Sequence, residues 1–196
     1  MAIYDFLLVP LGYLLGSIPS AYIIGRLAKG VDVRTEADGR ISAAAVYRRA
    51  GVIPFLAVIA MDVGQGAAAI LIAKFLTDSL LVILLAGLAA VVGHNWSVFL
   101  KFRGGLGATT TYGVLAGLAI WQLLIAGLVA VVPFVVTRKS GLSTGVLIGT
   151  ISIIFLVQRI FFDQEISVFL IVYPPMLIAC MLLKRFQIRR PVSNSI

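Results

Sequence analysis

The chain has 196 residues, of which 61% are hydrophobic and only 12% are charged, and its mean hydropathy is +1.08. Soluble domains carry about twice that charged fraction, so the composition excludes an ordinary soluble protein and indicates an integral membrane protein. The formal net charge of +8 does not indicate nucleic acid as a partner, because the basic residues are grouped between apolar runs, as in cytoplasmic loops of membrane proteins.

Apolar runs follow one another along the chain, most of them close to the ~20 residues that a membrane-spanning helix needs. They cover residues 6–28, 51–77, 79–100, 112–137, 141–161 and 166–184. Only helices satisfy their own backbone groups in lipid, so we predict an all-α protein with a single membrane domain over residues 1–196. We expect no cleavable signal peptide, since Asp5 is the only early charge and apolar sequence continues beyond Ser17.

Basic residues mark the polar segments that we expect to face the cytoplasm. These segments are a first loop at residues 29–50, a glycine-rich loop at residues 101–110, the pair Arg138 and Lys139, and a tail at residues 185–196. If the glycine-rich loop and Arg138 lie on one side, residues 107–137 must cross twice or dip in and return. That stretch is short for two full spans, so we predict two short or re-entrant helices with a break near Ala119 to Gln122.

The resulting topology has about seven membrane segments, an amino terminus outside and a carboxyl terminus in the cytoplasm. Small residues at helical spacing, Gly12 with Gly16 and Gly113 with Gly117, are typical of helices that approach each other closely.

The glycine-rich loop is a candidate phosphate site. Gly104, Gly105 and Gly107 follow the basic residues Lys101 and Arg103. Glycine lets backbone N–H groups converge on an anion, and a helix that begins just afterwards adds its positive dipole end. The alternative is that these glycines only permit a tight turn or close helix packing, and the sequence leaves both interpretations open.

Two further polar segments have alternative interpretations of the same kind. In the first loop, Arg48 and Arg49 present adjacent guanidinium groups that match phosphate oxygens. They also fit simple contact with lipid headgroups. Asp62, in the run Asp62 to Gly66, lies near the start of an apolar stretch. An ionisable residue there is a functional hypothesis by default, and a helix–helix hydrogen bond is its structural alternative.

His94 is the only histidine, and it either orients a loop through its ring N–H or caps a helix end. With the lone Cys180 it provides no ligand set for a metal, and no serine has the partners of a covalent triad. We therefore expect neither metal nor cofactor. An enzyme built this way would act by positioning two substrates and stabilising charge.

Several motifs resemble the bacterial acyl-phosphate-dependent glycerol-3-phosphate acyltransferases, the PlsY family. They are YLLGSIPSAY at residues 13–22, GVDVR at residues 30–34 and GHNWSVFLKFRGGLG at residues 93–107. The resemblance runs in register from about residue 8 to residue 190. It implies a seven-helix fold in the bacterial plasma membrane with its site on the cytoplasmic side. It also implies transfer of a fatty acyl group from acyl phosphate to glycerol 3-phosphate, giving lysophosphatidic acid, without metal or cofactor.

The chain departs from the family pattern at charged and polar positions. Asp38 stands where the family's first motif has serine, and Gln65 and Leu106 stand where its second and third motifs have lysine. Lys184 and Gln187 replace a histidine and an asparagine near the end. Fewer cations weaken the binding of a phosphate-bearing acceptor. A different polar acceptor, or a noncatalytic protein that binds anionic lipid or regulates a partner, is therefore the alternative function.

Matching the motifs onto this chain gives three groups of candidate site residues. The candidate catalytic residues are Arg48, Asp38 and Ser42. The candidate phosphate-binding residues are Arg103, Gly104, Gly105, Gly107 and Arg40. The candidate orienting residues are Asp62, Gly66 and His94.

Overall fold

The computed structural model describes residues 3–30, 32–35, 41–162 and 166–189, and the regular structure in these ranges is helical. The helices are α1 Leu8–Ser17, α2 Ser20–Lys29, α3 Ala43–Ala50, α4 Val52–Leu76, α5 Leu80–Asn95, α6 Ala108–Thr137, α7 Ser140–Phe161 and α8 Val168–Arg189. Within the same ranges, 6 helical stretches are long and apolar enough to cross a membrane, counting α1 and α2 together. The all-α, multi-pass membrane fold that the composition predicts is thus confirmed.

The first apolar run is not one straight helix, because it is interrupted between α1 and α2. Ile18 has an extended ψ of 119° and Pro19 has φ −84° and ψ 73°. Proline has no N–H and disfavours helix at the residue before it, so the interruption follows from the sequence. At the interruption the carbonyl of Ile18 accepts two hydrogen bonds, one of 2.9 Å from the N–H of Ser20 and one of 3.2 Å from Nε2 of Gln65 in α4.

Glycines allow two helix pairs to pack with their backbones in contact. A Cβ at Gly12 or Gly16 of α1 would collide with the carbonyls of Ala86 and Ala90 in α5. A Cβ at Gly113 of α6 would likewise collide with the backbone of α4. The close approach predicted from the spacing of small residues is therefore confirmed at these positions.

Helix α6 is divided at Ala119, whose φ of −154° and ψ of 69° are not helical. Before the break, the hydroxyl of Tyr112 lies 2.6 Å from Oγ1 of Thr144, and after it the carbonyl of Ala130 accepts a bond of 2.7 Å from Ser143. In a continuous helix residues 112 and 130 would lie about 27 Å apart. Since both contact neighbouring residues of α7, the chain turns back at Ala119. The predicted break is confirmed, whereas the number of crossings and the orientation stay predictions.

A single lysine stabilises this reversal. Nζ of Lys74, near the end of α4, donates hydrogen bonds of 2.8 Å to the carbonyl of Gly117 and 3.2 Å to that of Leu118. A break in a helix leaves carbonyls without their intrahelical partners, and in lipid such groups are costly unless another donor reaches them. Lys74 supplies that donor.

Part of the first loop is folded onto one end of the bundle. Ser42 caps α3, accepting a 3.3 Å hydrogen bond from the N–H of Ala45 through its hydroxyl oxygen. Ala45 and Val46 are fully buried in a small apolar cluster that also contains Val33 and Leu100. The loop predicted at residues 29–50 therefore contains a helix, and it packs beside the glycine-rich segment.

Candidate functional site

Asp62 is a buried carboxylate that joins three helices. It lies well inside α4, which corrects the expectation of a position near the start of the helix, and only 3% of the residue is exposed. Its Oδ1 accepts a hydrogen bond from the hydroxyl of Ser20 in α2, and its Oδ2 accepts one of 2.7 Å from Thr109 in α6. A buried charge is costly unless it is hydrogen-bonded, and these two hydroxyls supply the bonds.

His94 lies between this carboxylate and the glycine-rich loop. Its Nδ1 is 3.8 Å from Oδ1 of Asp62, which is close for an electrostatic interaction but too long for a hydrogen bond. On the other side of the ring, a Cβ added to Gly105 would stand 2.5 Å from Nε2. Nδ1 of the imidazole therefore faces Asp62, and Nε2 faces the loop.

The glycine-rich loop is packed directly on the end of α5. The N–H of Gly105 donates a 3.2 Å hydrogen bond to the carbonyl of His94, and a Cβ at Gly104 would collide with that carbonyl oxygen. Gly107 has a left-handed φ of 73° and lies against the side chain of Asn95. Close packing, the structural alternative for these glycines, is thus observed.

That packing leaves donors for an anion. The N–H groups of Gly104, Leu106 and Gly107 make no backbone hydrogen bond to another described residue. The first turn of α6 begins at Ala108 and adds further unpaired donors and its dipole. Phosphate binding by this loop stays a prediction. The amide of Gly105 is not available for it, because that N–H is hydrogen-bonded to the carbonyl of His94.

A small cavity lies where these groups meet. The residues that line it come from the α1–α2 interruption, the end of α5 and the glycine-rich loop. They are Gly16, Ser17, Ile18, Pro19, Ser20, Ala21, Ile41, His94, Ser97, Leu100, Gly104 and Gly105. The cavity thus combines hydroxyl groups, one imidazole and backbone amides. Within the described part of the chain, no group of three or more His, Cys, Asp or Glu side chains could hold a metal.

Of the candidate catalytic residues of the first loop, the two that the structure describes, Arg48 and Ser42, do not line this cavity. Arg48 is exposed on α3, on the side away from the buried Ala45 and Val46, and does not line the cavity. The hydroxyl of Ser42 is occupied as a helix cap. Asp38 and Arg40 lie outside the described residues.

Arg103 and Gly104 are adjacent in sequence but line different concavities. Arg103 is exposed and lines an open basic concavity together with Lys101, Arg34 and Asp32. The hydrogen bonds from Arg34 hold the pKa of the Asp32 carboxyl well below its usual range, although partial desolvation opposes them.

Gly66, the remaining orienting candidate, packs against the carbonyl of Thr110, where a Cβ would collide.

Sequence reasoning missed the two hydroxyls that bind Asp62. Ser20 directly follows the proline that interrupts the first apolar run, and Thr109 begins just after the last glycine of the loop. A hydroxyl residue placed immediately after a helix breaker or at a helix start is a usable signal, because such positions commonly turn side chains toward neighbouring polar groups. Their common partner was visible only in three dimensions.

Comparison with known proteins finds glycerol-3-phosphate acyltransferases among the similar sequences and structures. A glycerol-3-phosphate acyltransferase of Shouchella clausii is 43% identical over 135 residues, which cover 68% of this chain and 66% of the relative, just under two thirds of its length. The crystal structure of PlsY, an integral membrane glycerol 3-phosphate acyltransferase in its glycerol 3-phosphate form, superposes with a TM-score of 0.78 at 30% identity. That superposition covers 93% of this chain and 88% of PlsY. The lysophosphatidic acid form of PlsY gives a TM-score of 0.76 at 31% identity, over the same shares of the two chains.

The family model described as glycerol-3-phosphate acyltransferase matches residues 6–193, nearly the whole chain. The matched range includes both the interruption before Ser20 and the glycine-rich loop, whose residues line the cavity. The chain therefore belongs to the glycerol-3-phosphate acyltransferase family.

Proposed function

We propose that this protein is a membrane acyltransferase that moves a fatty acyl group from acyl phosphate to glycerol 3-phosphate or a related polar acceptor. With glycerol 3-phosphate the product is lysophosphatidic acid. Family membership supports this proposal, as do the glycerol 3-phosphate and lysophosphatidic acid forms of the structurally similar PlsY.

The observation that carries the proposal is the placement of His94 between Asp62 and Gly105. An acyl transfer needs a group to take the proton of the attacking hydroxyl and donors to stabilise the departing phosphate. The imidazole is within 3.8 Å of a buried carboxylate and directly faces the loop whose amides are the candidate phosphate donors. The imidazole and one candidate phosphate donor, the N–H of Gly104, therefore border one small cavity.

The proposed reaction follows from these positions. The acceptor oxygen attacks the carbonyl carbon of acyl phosphate while its proton passes to Nε2 of His94, and Asp62 stabilises the imidazolium that forms. The bond between the carbonyl carbon and the phosphate oxygen breaks. Inorganic phosphate then leaves, with its charge stabilised by the unpaired N–H groups of Gly104, Leu106 and Gly107. Arg48, Arg103 and Arg40 are the proposed sources of additional positive charge.

The acceptor is the least constrained part of the proposal. Gln65 occupies a lysine position of the family motif. Its Nε2 donates a hydrogen bond to the carbonyl of Ile18, and its buried Oε1 has no hydrogen-bond partner among the described residues. Leu106 is apolar at the second such position. An acceptor with less negative charge than glycerol 3-phosphate fits a site that has lost two cations.

The test is acyl transfer by the purified protein in lipid, with long-chain acyl phosphate and labelled glycerol 3-phosphate or glycerol as acceptors. We expect labelled acyl product with at least one acceptor, and we expect His94→Gln to reduce it strongly because it removes the proposed proton acceptor. Restoring lysines, Gln65→Lys with Leu106→Lys, is expected to raise turnover with glycerol 3-phosphate more than with glycerol. Turnover that stays at the level of empty vesicles with every acceptor would refute the proposal.

A noncatalytic role is favoured by one specific observation. Each oxygen of Asp62 already accepts a hydrogen bond, from Ser20 or Thr109, and both lysine positions hold neutral side chains, so the site has fewer cations for two phosphate-bearing substrates. In that case the protein binds anionic lipid or regulates a partner on the family scaffold. The noncatalytic role predicts no turnover in the same assay, even after Gln65→Lys and Leu106→Lys restore the two lysines.

A further inference from the structure

We propose that Lys184, at a position where the family pattern has histidine, binds the phosphoryl group of the acyl donor. Lys184 would thereby supply from α8 the positive charge that the family pattern places at positions 65 and 106, which are neutral here as Gln65 and Leu106. The proposed reaction leaves Lys184 unused. This inference rests on the proposed function for the identity of the ligand, because the phosphoryl group is that of acyl phosphate and of the inorganic phosphate that leaves.

Lys184 lies on the side of α8 that faces the helix bundle. Tyr173, Leu177, Cys180 and Lys184 follow one another at intervals of four, three and four residues, which is the spacing of one helix face, and all four are buried. Lys184 is 5% exposed, whereas the adjacent Leu183 is 65% exposed. A cation therefore occupies a buried face of α8 that is otherwise without charge.

The ammonium group of Lys184 has an aromatic neighbour but no anion. Its Nζ lies 5.2 Å from the centre of the Trp96 ring. It forms no ion pair and no hydrogen bond with a described residue. A cation–π contact offsets only part of the cost of burying a charge, and buried lysines are normally paired with an anion. The unpaired charge therefore favours a ligand that brings the anion.

The ring beneath Lys184 is held from two sides. Nε1 of Trp96 donates a 2.8 Å hydrogen bond to Oε1 of Gln187 on α8, and the hydroxyl of Tyr13 in α1 donates one of 2.7 Å to the carbonyl of Trp96. Since the ring is fixed, the ammonium over it has a restricted position, and its three N–H donors are left for a ligand. A donor that is already positioned loses less conformational freedom when the ligand binds.

The residue before Trp96 connects Lys184 to the glycine-rich loop. Asn95 is fully buried, and its Nδ2 donates hydrogen bonds of 3.5 Å to the carbonyl and to Sγ of Cys180, one turn before Lys184. Its Oδ1 lies against Gly107, where a Cβ would stand 2.4 Å away. The loop amides and the ammonium thus both adjoin the end of α5. A phosphoryl group at this junction contacts both kinds of donor, which suits a group whose charge grows as it leaves.

The first experiment measures phosphate binding without turnover. Trp121→Phe, at an exposed position of α6, leaves Trp96 as the only tryptophan, so its fluorescence reports an anion that binds at Lys184. With the full chain in detergent, we expect a saturable change on addition of inorganic phosphate. Lys184→Met should move the midpoint to phosphate concentrations about tenfold higher or more, because a charged hydrogen bond is lost. An identical titration of the two proteins would overturn the proposal.

Two controls accompany this titration. Lys29→Met removes an exposed cation at the end of α2 and should leave the midpoint unchanged. Phosphatidylglycerol added to the micelles distinguishes a lipid headgroup from a soluble phosphate. A response of Trp96 to phosphatidylglycerol but not to inorganic phosphate would contradict the assignment.

Thermal unfolding separates binding from a purely structural role of Lys184. Without phosphate, we expect Lys184→Met to be at least as stable as the unmodified protein, because it removes a buried charge that lacks an anion. Phosphate should raise the unfolding midpoint of the unmodified protein and not that of Lys184→Met. A midpoint that Lys184→Met lowers equally with and without phosphate would show that the lysine only supports packing over Trp96.

Turnover assigns the phosphoryl group to the acyl donor. We expect Lys184→Met to raise KM for acyl phosphate about tenfold or more and to change KM for the acceptor little. Leu106→Lys added to Lys184→Met should reverse part of this rise, because it returns a cation to the loop. Phosphate binding that depends on Lys184 in a protein without turnover would refute the proposed function and keep the anion site. Turnover with an unchanged KM for acyl phosphate in Lys184→Met would overturn the assignment to the donor.

Discussion

The cavity beneath the glycine-rich loop and the open groove between α6, α7 and α8, which Arg138, Lys139 and Arg185 line, are separated by one short segment, yet they are built in opposite ways. Beside the cavity, the carboxylate of Asp62 is buried and held by two hydroxyls, and His94, which lines the cavity, lies against backbone. In the groove the charged groups are exposed cations that form no ion pair with a described residue. The cavity is therefore suited to fixed geometry and chemistry, whereas the groove is suited to binding by charge and apolar contact.

Filling the space between the loop and His94 is expected to have at least as large an effect as removing the imidazole, because it displaces the ring and the loop together. Gly105→Val places atoms where Nε2 of His94 and the carbonyl of Ile41 now lie, so the ring and the loop must move apart. We expect acyl transfer to fall by roughly 100-fold or more, since displacements of about 1 Å cost that much. The measurement is turnover at saturating acyl phosphate. Gly64→Ala, in open space on α4, should leave it unchanged.

The second prediction asks whether Asp62 and His94 act together. His94→Gln is expected to lower turnover by about 100-fold to 10,000-fold, the usual contribution of a general base. Asp62→Asn should lower turnover as well. If the two residues act as one unit, turnover of the double variant should be no lower than that of the less active single variant. Rates for all four proteins complete the cycle. Fully additive losses would mean that the two residues contribute independently.

The third prediction concerns stability at the reversal in α6. Lys74→Met removes the donor for the carbonyls of Gly117 and Leu118, and we expect the free energy of unfolding to fall by about 2 kcal/mol. Thermal unfolding in detergent, followed by circular dichroism, measures the change. Lys29→Met removes a lysine with no such bond and serves as the control. An unchanged midpoint for Lys74→Met would show that the freed carbonyls find other donors.

The smallest effect is expected at Ser42, where one substitution distinguishes a helix cap from a catalytic hydroxyl. Removing the cap from α3 with Ser42→Ala should cost about 1 kcal/mol of stability and change acyl transfer little. Ser42→Asp keeps a capping oxygen and should restore the stability. A loss of turnover in Ser42→Ala comparable to that of Gly105→Val would instead support a catalytic role for the hydroxyl.

Much of the fold was predictable because lipid restricts the possibilities. The apolar runs gave the helices, and their basic flanks required a reversal within residues 107–137, which the structure places at Ala119. The interruption at Pro19 was equally visible in the sequence, although the first run was predicted as one span. Candidate site residues were less predictable, since Arg48 and Arg103 do not line the cavity that Gly104, Gly105 and His94 share.

By itself, the sequence determined that this protein is a bundle of membrane helices with a glycine-rich segment between basic residues. Composition and spacing are sufficient for that, because burial in lipid depends on each segment's own apolar surface and backbone. Only the tertiary structure decided that Ser20, Asp62, His94 and Thr109 form one cluster, and that Arg138 and Arg185 face a common groove. These groups lie far apart along the chain, and their meeting depends on how closely the helices pack.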